Sequence, residues 1–131
     1  GTFAAAGLFL ALCLCQHQRL AYRANLAMYQ NGVITQLDPW TLHLQSAGIS
    51  EYDLADDLIR AGWGVGETPE DVMRAVKGYS GDNALHYGRD GEGNRQLWFY
   101  LYDKAEENSG SLTMTLDENG EAVTALELNK R

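Results

Sequence analysis

The sequence predicts an α+β fold: an N-terminal apolar and amphipathic helix, then two short helices packed on an antiparallel meander of three or four strands. Three observations support this order. Apolar residues recur at helical spacing through residue 29 and again between residues 50 and 78. From residue 96 onward, apolar and polar residues alternate as they do in a strand. Turn sequences rich in glycine and acidic residues separate the alternating segments.

The N-terminal segment begins with an uncharged run, residues 2–15, that reads TFAAAGLFLALCLC. As a helix this run would extend about 21 Å, short of the ~30 Å hydrocarbon core of a bilayer. The helical pattern continues through Leu20 and Met28 to a stop at Gly32, so one long helix is predicted. We expect residues 1–30 to form a membrane-anchoring helix. The side chains expected to anchor it are Phe3, Leu8, Phe9, Leu10, Leu12 and Leu14.

Three explanations for this helix stay open. It is an uncleaved membrane anchor, a secretory signal peptide, or a filament-core helix like that of type IV pilins. A lipoprotein cleavage site is present only in degraded form, because no small residue stands directly before Cys13 or Cys15. A pilin-like start requires a glutamate near its fifth residue, where this chain has Ala5.

The rest of the chain is predicted to divide into a connector, 31–49, and an acidic α+β domain, 50–131. The connector is expected to hold a short extended piece at 41–45. Asp38 precedes Pro39 and should prevent a helix there, since a residue before proline is pushed out of the α region.

The acidic charge is concentrated in the predicted domain. Residues 46–131 hold 17 acidic and 8 basic side chains, a net charge of −9. Such a surface repels phosphate backbones, so nucleic-acid binding is not expected. The negative charge leaves basic proteins or cations as the expected kinds of partner.

Two helices are predicted in the acidic domain. The first begins at the N-cap Ser50 and ends in the glycine-rich turn at Gly62. The second begins at the N-cap Thr68, with Pro69 in the first helical position, and ends at Gly78. Strands are expected at 84–87, 96–102, 112–116 and 122–128, with an Asn-Gly hairpin turn at 117–120.

The strand at 96–102 carries the candidate binding residues. Its alternation predicts one aromatic group on the face opposite Leu97, Phe99 and Leu101. The members of this group are Trp98, Tyr100 and Tyr102. That face is either covered by the N-terminal helix or the connector, or it contacts another protein, where Trp and Tyr are enriched. The predicted partner-binding residues are Trp63, Trp98, Tyr100 and Tyr102.

Three segments together resemble the small SmpA/OmlA (BamE-like) envelope domain over residues 50–128. They are the run GETPEDV at 66–72, the aromatic strand LWFY at 97–100 and the hairpin LTMTLDENGEAV at 112–123. The resemblance implies a non-catalytic, membrane-tethered domain that braces a larger bacterial envelope assembly.

The side of the membrane stays open. The resemblance implies a periplasmic position for the acidic domain. The positive-inside tendency instead favours the cytoplasm for the side that carries Arg19 and Arg23.

No residue pattern indicates an enzyme, a cofactor or a metal site. Both cysteines, Cys13 and Cys15, lie inside the apolar run, so no cysteine pair for structural zinc exists outside it. His86 with Asp82 is the candidate acid–base pair, and a half-exposed strand histidine is the competing interpretation. The remaining acidic clusters are interpreted as a solvated helix face and two turns: 53–57, 90–94 and 117–121.

These observations predict a non-enzymatic, membrane-anchored accessory subunit or assembly scaffold of a membrane or cell-envelope protein complex. Its partners would be other subunits of that complex and the lipid bilayer, contacted through residues 2–29. The alternative is a pilin-like structural subunit whose N-terminal helix packs in a filament core.

Overall fold

The computed structural model describes residues 19–103 and 105–131, which form four helices and one antiparallel sheet. Within the described residues, helix α1 covers 19–30. The other helices are α2 (Pro39–Gln45), α3 (Glu51–Arg60) and α4 (Pro69–Lys77), followed by a 3-10 turn (Asp82–Ala84). The strands are β1 (His86–Arg89), β2 (Arg95–Tyr102), β3 (Asn108–Leu116) and β4 (Val123–Lys130). The strands pair in chain order, so the predicted α+β fold with a meander is confirmed.

Alternation along the central strands decides which face of the sheet is buried. Phe99 and Leu101 of β2 are fully buried, and Phe99 lies opposite Leu112 of β3. Helix α3 packs against this inner face. Burying a side chain of this size contributes roughly 1.5–3 kcal/mol, so the inner face is a main source of stability. The buried residues that α3 contributes are Leu54, Ala55 and Leu58.

The prediction that Asp38 and Pro39 prevent a helix is wrong, because residues 41–45 belong to α2. Asp38 has the extended backbone that a residue before proline prefers, with φ −79° and ψ 119°. An N-cap residue uses the same backbone, and proline is well tolerated in the first helical position. The Asp38 carboxylate accepts hydrogen bonds from the Thr41 hydroxyl (2.7 Å) and N–H (2.9 Å), which lower the pKa of Asp38.

The core extends across the predicted boundaries at residues 30 and 49. Tyr22 of α1 and Leu42 of α2 are buried in the same cluster as α3, α4 and the sheet. The Tyr22 hydroxyl donates to the Asp57 carboxylate of α3 at 2.7 Å. The Asn25 side-chain amide donates to Gln45 of α2, also at 2.7 Å. Helix α1 and the connector are therefore parts of one folded unit with residues 50–131.

Helix α3 ends in a Schellman motif that buries Trp63. The Gly62 N–H (φ 83°) donates to the Ile59 carbonyl, and the Trp63 N–H donates to the Leu58 carbonyl, both at 3.0 Å. In this motif the residue after the glycine packs back against the last helical turn. Trp63 is 1% exposed and shares the core with Leu58, so it offers no surface to a partner. Its prediction as a partner-binding residue is wrong for this structure.

Helix α4 begins and ends as predicted. The Thr68 hydroxyl accepts from the Asp71 N–H at 3.2 Å, and Pro69 occupies the first turn. Gly78 closes the helix in the left-handed conformation, with φ 81°. A Cβ atom at this glycine would lie 2.3 Å from His43 Nε2, so α2 approaches the end of α4 closely.

Gly78→Ala is expected to destabilise the fold more than Gly62→Ala. Both glycines have φ near +80°, so alanine is strained by about 1–2 kcal/mol at either position. Only Gly78→Ala also drives a methyl group into His43, because nothing lies within 4 Å of a Cβ at Gly62. That clash adds about 1–3 kcal/mol, which urea denaturation measures.

The double variant Gly78→Ala/His43→Ala is the control for this contact. Measured against His43→Ala alone, it should lose about as much stability as Gly62→Ala loses from wild type. Equal losses in the two single variants would contradict a close approach of α2 to the end of α4.

Tyr22→Phe is expected to lower the free energy of unfolding by about 1 kcal/mol at neutral pH, because it removes the hydrogen bond to Asp57. Burial, together with that bond, raises the pKa of Tyr22. The unfolded tyrosine therefore ionises first as the pH rises. The difference in free energy of unfolding between wild type and Tyr22→Phe therefore keeps its neutral-pH value up to pH ~10 and declines above it.

Urea denaturation at about pH 8 and about pH 11 measures this change on either side of the pKa of an unfolded tyrosine. Tyr29→Phe is the matched control, since Tyr29 makes no side-chain hydrogen bond within the described structure. A wild-type advantage that is the same at both pH values would argue against a buried, hydrogen-bonded Tyr22.

Candidate protein-contact face

The outer face of the sheet carries one aromatic cluster, His86, Trp98 and Tyr100, here called the aromatic platform. The register pairs His86 of β1 directly with Trp98 of β2. Their rings are stacked, with centroids 5.6 Å apart and an angle of 18° between the planes. The Tyr100 ring meets His86 edge to face, with centroids 5.1 Å apart. The three rings therefore brace one another at the surface.

Small polar residues continue the outer face from the platform toward β4. Trp98 lies opposite Thr113, and Thr113 lies opposite Glu127. Tyr100 lies opposite Ser111, which pairs in turn with Asn129. Glu127 is the single charged residue in these two cross-strand rows. The platform thus borders a mainly neutral polar surface.

The described residues leave the platform open to solvent. His86 is exposed, Trp98 is half-buried, and Tyr100 remains 42% exposed. The connector, one of the two segments predicted as a cover, forms α2, which packs on α4. The described part of the N-terminal helix instead inserts Tyr22 into the core. Residues 19–49 therefore do not cover the aromatic platform.

Tyr102 departs from the predicted arrangement. The pairing of β2 with β3 shifts after Leu101, which lies opposite Gly110, so that Tyr102 lies opposite Asn108. Beyond this bulge the Tyr102 ring lies over the Lys77 ammonium group, with the nitrogen 4.6 Å from the ring centroid. Regular alternation predicts one group of three aromatic residues. The bulge instead gives Tyr102 surroundings of its own at the end of the sheet.

The surroundings of Tyr102 form a cleft of about 520 Å³ that we call the tyrosine cleft. The Lys77 side chain is 5% exposed, and its ammonium group lies 2.6 Å from the Glu51 carboxylate. Glu51 also accepts a hydrogen bond from the Tyr102 N–H at 2.9 Å. One carboxylate thus joins α3, α4 and β2. The remaining lining residues are Gly48, Ile49, Ser50, Tyr79, Asp103 and Glu106.

The candidate acid–base pair is not brought together. Asp82 accepts a hydrogen bond from the Tyr87 hydroxyl at 3.2 Å, and His86 contacts the rings of Trp98 and Tyr100. Among the described residues no hydrogen bond joins His86 to Asp82. The half-exposed strand histidine is the interpretation that fits this geometry.

Carboxylates of the acidic clusters on α3 and in the turns are engaged by other groups of the protein. Asp57 accepts from Tyr22, and Asp56 pairs with Arg60 at 3.1 Å. In the turns, hydrogen bonds from Asn94 lower the pKa of Asp90, and the Glu121 N–H lowers the pKa of Asp117. No group of three or more potential metal ligands occurs within the described ranges.

The predicted anchor residues Phe3, Leu8, Phe9, Leu10, Leu12 and Leu14 lie outside the described residues. No helix within 19–103 or 105–131 has the length and apolar character needed to cross a membrane.

Comparison with known proteins gave no match to a family model, a curated protein or a solved structure.

Glu51→Gln is expected to lower the free energy of unfolding by about 2 kcal/mol, since it leaves the buried Lys77 ammonium group without its carboxylate. Removing one partner of a fully buried pair costs roughly 3–5 kcal/mol. Glu51 itself is 26% exposed, so water offsets part of that cost. Urea denaturation measures the loss.

Asp56→Asn is the matched control for this ion pair. Its partner Arg60 is 77% exposed, so the loss should stay below about 0.5 kcal/mol. If both variants lost the same small amount, Lys77 and Glu51 would be behaving as an ordinary surface pair.

Proposed function

We propose that this protein is a non-enzymatic accessory subunit or assembly scaffold of a membrane or cell-envelope protein complex. In this proposal the aromatic platform binds a partner subunit. The single observation that carries it is the solvent-exposed cluster of His86, Trp98 and Tyr100 on the face of the sheet away from α3. Clustered aromatic residues are over-represented at protein interfaces and dominate their binding energy.

Charge favours a basic partner segment. The chain has a net charge of −8, and Glu127 lies in the same cross-strand row as Trp98. A guanidinium group stacks well on Trp and Tyr rings and pairs with a carboxylate. An arginine from the partner that lies over the platform would therefore reach Glu127. The negative field of the domain would also speed the encounter.

The platform itself is suited to binding rather than to catalysis. Its histidine contacts the rings of Trp98 and Tyr100, and no carboxylate among residues 19–103 and 105–131 is hydrogen-bonded to it to orient it as a base. Its candidate acidic partner, Asp82, instead accepts a hydrogen bond from Tyr87. These contacts support a non-enzymatic role.

Membrane attachment is part of the proposal and rests on the sequence of residues 2–15. The run is uncharged but short for a bilayer, so we infer that its helix packs against other subunits of the complex. Tyr22 and Asp57 fix α1 on the domain, which would hold the domain close to that assembly. The resemblance to the BamE-like family is consistent with this role.

Tyr100→Ala is expected to weaken partner binding at least tenfold, or about 1.4 kcal/mol, because a truncated interface aromatic typically costs this much or more. A photo-crosslinking amino acid at position 100, used in native membranes, would first identify the partner. Binding of the purified partner to wild type and to each variant then gives the affinities. Glu127→Lys should also weaken binding, through repulsion of the basic segment.

Trp40→Ala is the matched control, because Trp40 is an aromatic residue 51% exposed on α2, away from the sheet. Its affinity should equal that of wild type. Crosslinks from position 40 but not from position 100, or equal affinities for Tyr100→Ala and wild type, would refute the platform as the binding surface. Crosslinks to further copies of this chain in a filament would instead support the pilin-like alternative.

A further inference from the structure

A second cavity, of about 520 Å³, lies at the opposite end of β2 from the tyrosine cleft. Three leucines give it an apolar floor: Leu85 before β1, Leu97 of β2 and Leu116 of β3. Leu116 is 5% exposed, and the other two are half-buried. Small-molecule sites typically have this size, with mostly apolar walls and a few placed polar groups. We call this cavity the leucine pocket.

Two arginines line the leucine pocket from directly opposed positions. Arg89 of β1 and Arg95 of β2 are register partners, and like charges opposite each other destabilise a strand pair. The chain has 18 acidic side chains, yet neither arginine has a carboxylate oxygen within 4 Å among the described residues. Within the described ranges, no direct ion pair therefore offsets the repulsion between the two arginines.

The two guanidinium groups lie at the two hairpin turns, and a hydrogen bond holds that of Arg89. Arg89 Nη1 donates to the Gly93 carbonyl of the β1–β2 turn at 2.8 Å. Arg95 lies against Gly120 in the β3–β4 turn, where a Cβ atom would be 2.8 Å from Arg95 Nη1. An arginine that is already held by a hydrogen bond, as Arg89 is, loses less conformational freedom when an anion binds.

The acidic lining restricts the kind of anion. Glu70 and Asp82 also border the pocket, and Asp82 accepts from the Tyr87 hydroxyl. With the two arginines they bring the local charge close to neutral, and the whole chain is negative. A polyanion would be repelled, whereas a single carboxylate gains two charge-assisted hydrogen bonds and pays little repulsion.

We propose that the leucine pocket binds a monocarboxylate carried on an apolar chain. The carboxylate lies between Arg89 and Arg95, and the chain lies on Leu85, Leu97 and Leu116. A free fatty acid and a peptide that ends in an apolar residue present this same chemistry. This site is independent of the aromatic platform and of the proposed function.

Titration of the full-length, isotope-labelled chain with octanoate, followed by NMR, tests the proposal. Amide shifts should concentrate at the residues of the leucine pocket and saturate. Octanol has the same chain without the charge and should bind at least tenfold more weakly. A short peptide ending in leucine, with a free or an amidated carboxyl terminus, distinguishes a peptide source from a fatty acid.

Arg89→Gln and Arg95→Gln should each weaken octanoate or peptide binding about tenfold, the usual effect of losing a charge-assisted hydrogen bond. Both residues are exposed and either substitution relieves the repulsion between them, so urea denaturation should find the variants at least as stable as wild type. Arg60→Gln, at an exposed arginine of α3, is the matched control and should leave binding unchanged.

Three results would overturn the proposal. They are the absence of saturable shifts with both carboxylates, binding of octanol as tight as that of octanoate, and identical affinities for wild type and the two arginine variants. Tighter binding of inorganic phosphate than of octanoate would likewise assign the arginines to a different anion.

Discussion

The alternation of side chains along β2 and β3 is the constraint on which the rest of the structure depends. Because neighbouring residues point to opposite faces, burying Phe99 and Leu112 against α3 commits Trp98 and Thr113 to the other side. The helix-covered core and the aromatic platform are two results of one register. A slip of one residue would exchange them, so the apolar inner face fixes the position of the binding surface.

Close contacts of aromatic rings join the helices in addition to the side-chain hydrogen bonds between them. His43 lies against the backbone of Gly78, and Trp63 closes the Schellman motif at the end of α3. Within the described residues, His43 Nδ1 and Trp63 Nε1 are buried without a hydrogen-bond partner. Each such group costs roughly 1–3 kcal/mol, a cost that the packing of these large rings offsets. The contact of α2 with α4 therefore depends on shape, whereas α3 and α4 are also joined by the Lys77–Glu51 ion pair.

Local signals in the sequence predict most of this fold, and tertiary packing decides what they miss. The cap at Thr68 and the hairpin at Gly120 depend on neighbouring residues alone, so both were predictable. The alternating pattern does not show the bulge after Leu101, so the sequence alone groups Tyr102 with Trp98 and Tyr100. The burial of Trp63 had a usable signal, an apolar residue directly after a helix-ending glycine. Burial of Tyr22 had none, since an amphipathic helix does not reveal which surface it covers.

The hydrogen bond from Tyr22 to Asp57 has a mechanical meaning as well as a stabilising one. A segment joined to a domain by a flexible linker transmits little force, because slack is taken up first. Helix α1 is instead joined to α3 by the buried, hydrogen-bonded ring of Tyr22, and α3 packs directly on the sheet. A pull or a tilt applied at residue 19 would pass through this joint to the strands that carry the platform. Helix α1 is thus rigidly connected to the domain, so a displacement of its first described turn would move the domain with it.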